Sequence, residues 1–258
     1  MIVLQLGVDL PAPIPLANSG FGLFGIGGLF GLSAEPYYGS SPESDPVLRQ
    51  LQWQHKDEND FKEAAGQSTF GLSAVVGTLP DLGFSFSAKT ELLITVPDAA
   101  VRGALNGRVM HPVIKLSDPS LPSDSDFGIS FLGFIGLNSE ALSFGVLGNI
   151  NLKPLLEIKV PLAGYFPFKE TDDWYVYLGA DGAPFQGRSI GPITAKVLPG
   201  ILNIEADAYL MMRGKGIMSW PHGRALPGAP LTLPNGFVLA FGFSLQNPAG
   251  NIRMNPAL

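Results

Sequence analysis

The chain has 258 residues, of which 46% are hydrophobic and only 15% charged, with a formal net charge of −6 and no cysteine. That length suits one large all-β domain, and the acidic balance gives no electrostatic reason to bind nucleic acid. The missing thiols exclude disulfides, zinc-thiolate and iron–sulfur sites and cysteine nucleophiles.

The first segment, Ile2–Val8, alternates as a strand, and no basic start or small-residue cleavage site marks a signal peptide. An exported protein would therefore carry this chain as a mature form or as part of a longer one. Pro11–Ser19 resists regular structure, and Gly20–Leu32 (GFGLFGIGGLFGL) is too short to span a bilayer as a helix. Its Gly and Phe content has the texture of peptides that insert into membrane surfaces. A glycine-rich strand or loop packed in the core is the favoured reading. Gly20–Gly25 matches G-x-G-x-x-G, but without the strand before it and helix after it that a pyrophosphate site needs.

Residues 35–69 read as a loop or short-helix insertion, with one helix starting after Ser44-Asp45-Pro46 and a solvated charge cluster at His55–Glu63. Strands follow at Phe70–Thr78 and Phe84–Val96. In the latter, Phe84, Phe86, Leu92 and Ile94 share one face, and Ser85, Ser87, Lys89 and Glu91 share the other. Further strands are Val101–Met110, Ile129–Leu137, Leu142–Leu152, Leu155–Val160 and Trp174–Leu178. The ends Leu92–Pro97 (LLITVP) and Leu155–Pro161 (LLEIKVP) echo each other and hint at a duplicated hairpin or meander. A short strand follows Pro192. In Leu202–Met212, Leu202, Ile204, Leu210 and Met212 alternate with Asn203, Glu205, Asp207 and Tyr209, and Phe237–Leu245 closes the series.

The reactive-looking residues have plainer readings beside them. Gly187–Gly191 matches the hydrolase pattern G-x-S-x-G around Ser189, but Pro192 follows where a helix is needed, and of His55, His111 and His222 only His222 lies after the serine. Asp124 with Asp126, and Asp172-Asp173 with Asp181, fit solvated turns better than a Ca²⁺ loop. Glu205 and Asp207 share a face two residues apart, and glycoside hydrolysis would also need an aromatic-walled cleft around them. The aromatic cluster Tyr165, Phe166, Phe168, Trp174, Tyr175 and Tyr177 reads as core and rim packing.

The succession GTLPDLGFSFSAKTELLITVPD, ALNGRV, GYFPFKETDDWYVYLGA and ILNIEADAYLMM resembles β-rich domains of unknown function found in very large microbial proteins. The resemblance spans about Phe70 to Met212 and carries no active site. It implies a cut-down or stand-alone relative of a longer, elongated protein.

The expectation is a single all-β domain over residues 1–258, with about ten mostly antiparallel amphipathic strands and at most one or two short helices. These would form a sandwich, a barrel or an elongated curved sheet with an apolar interior. A bilayer barrel expects aromatic girdles and a polar lumen that the sequence does not assign. The expected function is a non-enzymatic β-sheet module binding an apolar, lipid-like ligand in its interior or groove. Its lining would be drawn from Phe84, Phe86, Leu92, Ile94, Leu202, Ile204, Leu210 and Met212, each of which reads more readily as ordinary dry core. No cofactor or metal is expected. The alternative is a structural or self-assembling repeat unit of an extracellular or particle assembly, a homo-oligomer without a small ligand, and a serine hydrolase is a remote third.

Overall fold

A computed structural model describes residues 1–38, 47, 50, 60–118, 127–169, 173–180, 191–199, 201–214, 231–232, 238–247 and 250–254. The described part is nearly all strand and antiparallel, and its contacts group it into two compact units.

The first unit holds β1 (Ile2–Pro15), β2 (Phe21–Pro36), β3 (Phe61–Thr78), β4 (Ser87–Val96), β5 (Ala100–Val109) and β6 (Gly128–Leu137). Each pairs antiparallel with the next. The strands alternate apolar side chains, glycines among them, with a second set that carries most of their polar groups, and turns separate them. Between β3 and β4 the Asp81 carboxylate accepts the Ser85 N–H at 2.7 Å and the Thr78 hydroxyl. The Gly83 N–H bonds the Thr78 carbonyl at 2.7 Å. Hydrogen bonds from Ser85 and then Thr78 hold the Asp81 carboxyl down at about 2.

The second unit holds β7 (Ala141–Leu152), β8 (Leu156–Pro167), β9 (Tyr175–Leu178), β10 (Ile193–Val197), β11 (Ile204–Arg213), β12 (Leu231–Thr232), β13 (Val238–Asn247) and β14 (Gly250–Met254). Here β9 and β10 share one strand position. Leu162–Tyr165 of β8 and Leu210–Arg213 of β11 flank β9, while Leu156–Lys159 and Ile204–Ala208 flank β10. Gly179 sits at the break with a φ of 71°, where an added Cβ would lie 2.8 Å from the Ile193 nitrogen and 2.9 Å from the Ala208 oxygen. Only glycine fits that approach.

Compared with the sequence reading, four strands join the ten: β2, the short β10 expected after Pro192, β12 and β14. Pro11–Pro13 lie in an irregularity of β1, after which Ile14 and Pro15 pair again with β2, and residues 61–69, read as the end of an insertion, open β3. Phe84 precedes β4 in a turn instead of starting it. Of the helix expected after Ser44–Pro46 only Val47 and Gln50 are described, and most of the charge cluster from His55 lies outside the described residues.

The larger correction concerns which face is covered. Alternation predicts that the apolar side of β4 is buried, yet Leu92 and Ile94 are exposed, whereas Ser87, Leu93 and Thr95 on the other side are buried. The covered face of the first unit carries a small core of Leu29, Phe61 and Leu93 with Val3 and Tyr38 against it. Beside this core lie buried polar groups. Thr69 donates to the Ala34 carbonyl at 2.8 Å and bonds Thr95 at 3.0 Å, and Arg102 pairs with Glu91 at 3.2 Å while donating to the Gln50 carbonyl at 3.0 Å.

The reason lies in what covers that face. A crossing segment brings backbone N–H and C=O groups that need partners once buried. The 110–118 segment finds them: the Ile114 N–H bonds Ser87 Oγ at 3.2 Å, the Leu116 N–H bonds Asp9 Oδ1 at 3.0 Å, and Lys89 Nζ donates to the Leu116 carbonyl. The side of the strands that carries hydroxyls, carboxylates and an ammonium is the side that can hold a loop.

Candidate functional site

Directly opposed residues in an antiparallel ladder point to the same face, so the registers can be read as rows across the strands. In the first unit one row runs Leu4–Phe30–Phe70–Ile94–Val101–Leu137, and all six side chains are exposed. The next row is Leu6–Gly28–Leu72–Leu92–Gly103–Ile135, with Leu6 at 81% and Leu72 at 56% exposure. A third is Val8–Ile26–Ala74–Thr90–Leu105–Gly133. Its one hydroxyl, on Thr90, turns back onto the Ala74 carbonyl at 3.3 Å. At roughly 4.8 Å per strand the rows stretch about 24 Å.

Toward the β3–β4 turn the rows end in rings. Phe86 stacks with Phe131 at 6.4 Å and meets Phe21 edge-on at 6.1 Å. Phe131 lies over Gly107, where a Cβ would come within 2.1 Å of the ring.

The second unit carries apolar rows too, though most of their side chains are half-buried rather than bare. Val146–Leu162–Leu178–Leu210–Phe241 forms one row and Phe144–Gly164–Val176–Met212–Leu239 another. Leu152–Leu156–Val197–Ile204 forms a third. None of the rows named in either unit contains an ionisable residue. The opposite face of the second unit is polar along Asn149–Lys159–Thr194–Asp207–Ser244, beside a core where Tyr177 and Met211 are fully buried.

The structure thus places Leu92 and Ile94 together on the apolar face of the first unit, and Ile204, Leu210 and Met212 on that of the second. Phe86 belongs to the ring cluster. Phe84 and Leu202 are exposed turn residues, in front of β4 and β11. Gly20–Leu32 is a glycine-rich strand, as one of its readings has it, but only one side of it is core: it begins β2, burying Phe24 and Leu29 while exposing Phe21, Ile26, Phe30 and Leu32. In the aromatic cluster Tyr175 and Tyr177 stack at 4.9 Å on the covered side, and Phe166 stacks on Trp174 at 6.0 Å and on Phe144 at 6.2 Å.

The polar candidates are engaged elsewhere. Glu205 pairs with Lys196 at 3.2 Å, and Asp207 accepts the Ser244 hydroxyl at 3.4 Å. His111 Nδ1 lies 3.0 Å from the Pro112 carbonyl oxygen. Ser189, His55, His222, Asp124, Asp126, Asp172 and Asp181 lie outside the described residues. Among the described residues no three His, Asp or Glu side chains converge on a metal-sized site, and no helix is long and apolar enough to cross a membrane. Electrostatic perturbations also occur on the covered face. Burial lowers the affinity of Arg102 for its proton, opposed by Glu91, and burial raises the Tyr38 hydroxyl, opposed by Arg102.

The buried Glu91–Arg102 pair is what a search for functional residues in the sequence overlooks, since the two are eleven residues apart. The register that makes them diagonal neighbours, with Glu91 opposite Ala104 and Arg102 opposite Leu93, becomes visible only once β4 and β5 are paired. No protein-family model matches the chain, and neither a characterised protein nor a solved structure is significantly similar to it.

Proposed function

We propose that the protein is a non-enzymatic module that binds hydrocarbon, such as the acyl chains of a lipid, against the uncovered apolar faces of its sheets. The observation that carries this reading is the bare, uncharged row set: side chains of alternating strands stand in water on the face where a soluble domain ordinarily buries them. Covering six half-exposed aliphatic or aromatic side chains is worth on the order of 5 kcal/mol, and contiguous patches of this kind on soluble proteins mark binding surfaces. With no charged residue in the rows, the site would recognise chain rather than headgroup, so selectivity among headgroups is expected to be weak.

The test is native mass spectrometry of the purified protein beside an organic extract of the same sample, followed by titration of the delipidated protein with a fluorescent fatty acid. Co-purifying lipid and saturable uptake are the expected results, with uptake lowered at least tenfold in a Leu92→Lys, Leu210→Lys double variant that keeps its β-sheet circular dichroism. A delipidated protein that takes up no probe, or a double variant that binds as well as the parent, overturns the reading.

A further inference from the structure

A long strand at the border of a sheet is normally blunted by a lysine, a proline, a bulge or shortness, because its free backbone groups recruit other strands. The first half of β1 has none of these. Ile2–Asp9 pairs with β2 through eight consecutive positions without a break, and the first register shift and the first proline come only after Asp9. Among the described residues no strand lies on its other side. Most of this half is exposed on both faces.

Its pattern also reads the same in both directions. Ile2, Leu4, Leu6 and Val8 fall on the apolar face, and Val3, Gln5, Gly7 and Asp9 on the other. When such a strand meets its own copy antiparallel with Gln5 opposite Gln5, Ile2 faces Val8, Leu4 faces Leu6 and Val3 faces Gly7. Every residue keeps its face, whereas a slip of one position would set the leucines against Gln5 and Gly7 and turn one sheet over. The operation is two-fold and closes on itself. The border strand β14 offers a poorer match, being only five residues long.

We propose that Ile2–Val8 of β1 is a docking edge for the same segment of a second copy, joining two chains through a continuous antiparallel ladder and bringing their first-unit apolar rows side by side. The inference stands on backbone pairing and residue parity and does not rest on hydrocarbon binding.

The chain has no cysteine, so Gln5→Cys supplies a single thiol at the centre of the contact. Directly opposed Cβ atoms in such a pair are about 4.5–5.5 Å apart. Treated with a short bismaleimide in a mild detergent that occupies the apolar faces, this variant is expected to convert largely to a covalent dimer, while Asp98→Cys, in the β4–β5 turn, stays monomeric. In native mass spectrometry the parent is expected as a dimer and Leu6→Lys as a folded monomer, Leu6 being too exposed for the substitution to disturb packing. A parent that is monomeric throughout, Gln5→Cys linking no faster than Asp98→Cys, a dimer that survives Leu6→Lys, or growth beyond two copies would each overturn the proposal. Loss of the dimer in Leu92→Lys rather than Leu6→Lys would place the contact on the sheet face and overturn it too.

Discussion

The two sides of β4 differ in a way that inverts the usual relation between polarity and burial. On one side Glu91 is 10% exposed in its side chain and paired to an Arg102 that is 7% exposed; on the other Leu92, one residue along, is 41% exposed. The difference teaches that burial in this molecule follows the path of the covering segments rather than the hydropathy of the strand. Those segments need hydrogen-bonding partners, and the apolar side offers none.

Substitutions that treat the two sides alike should therefore have unlike effects. The largest is expected for Arg102→Ala, which strands the Glu91 carboxylate in a buried position, at a cost of about 3–5 kcal/mol in urea unfolding. Replacing both partners together, Arg102→Met with Glu91→Leu, should recover most of that loss, and a double variant as unstable as the single would show that the pair is not what holds this face. Next comes the contrast of Leu93→Ala with Leu92→Ala. The first empties a site only 2% exposed and should cost about 2–4 kcal/mol, while the second should stay within about 0.5 kcal/mol. Equal costs would mean that the Leu92 side is covered in solution.

Thr69→Val removes a hydroxyl bonded to both Ala34 and Thr95 and should cost about 1–2 kcal/mol. Smallest is the response of the β3–β4 turn to acid. Asp81 has a lowered carboxyl, so the stability it contributes is fully present above its unfolded value near 4 and is lost as pH falls through about 2. Carbon-detected NMR titration should place its midpoint near 2, and Asp81→Asn should flatten stability between about pH 4 and pH 2.

Much of the fold is legible in the alternation. The runs around Leu92–Ile94 and Leu210–Met212 define both strand type and the sets of side chains that share a face, and those sets reappear as rows across neighbouring strands. What alternation cannot reveal is which set is covered. Periodicity is symmetric under exchange of the two faces, so the rule that apolar means inside supplied the answer and pointed to the wrong side of β4. The hint lay in the polar set itself, where Ser87, Lys89 and Glu91 are too varied for a merely solvated face, although their partners in the 110–118 segment and on β5 come from remote sequence. For β2 the glycines lower strand propensity and leave strand and loop both open in the sequence, and its identity comes from long ladders on both sides.

The shared position of β9 and β10 has a consequence for how the chain can change over time. The backbone leaves the ladder after Gly179, where its N–H bonds Pro161, and rejoins it two residues past Gly191, whose carbonyl takes the Ala180 N–H at 2.8 Å. The two described ends, Ala180 and Gly191, are thus pinned together beside the ladder. Doubling the length of such an excursion costs only about 0.6 kcal/mol in closure entropy. The gap is a natural place for a lineage to gain or shed sequence, or for an engineer to splice in a reporter, without rewriting the sheet.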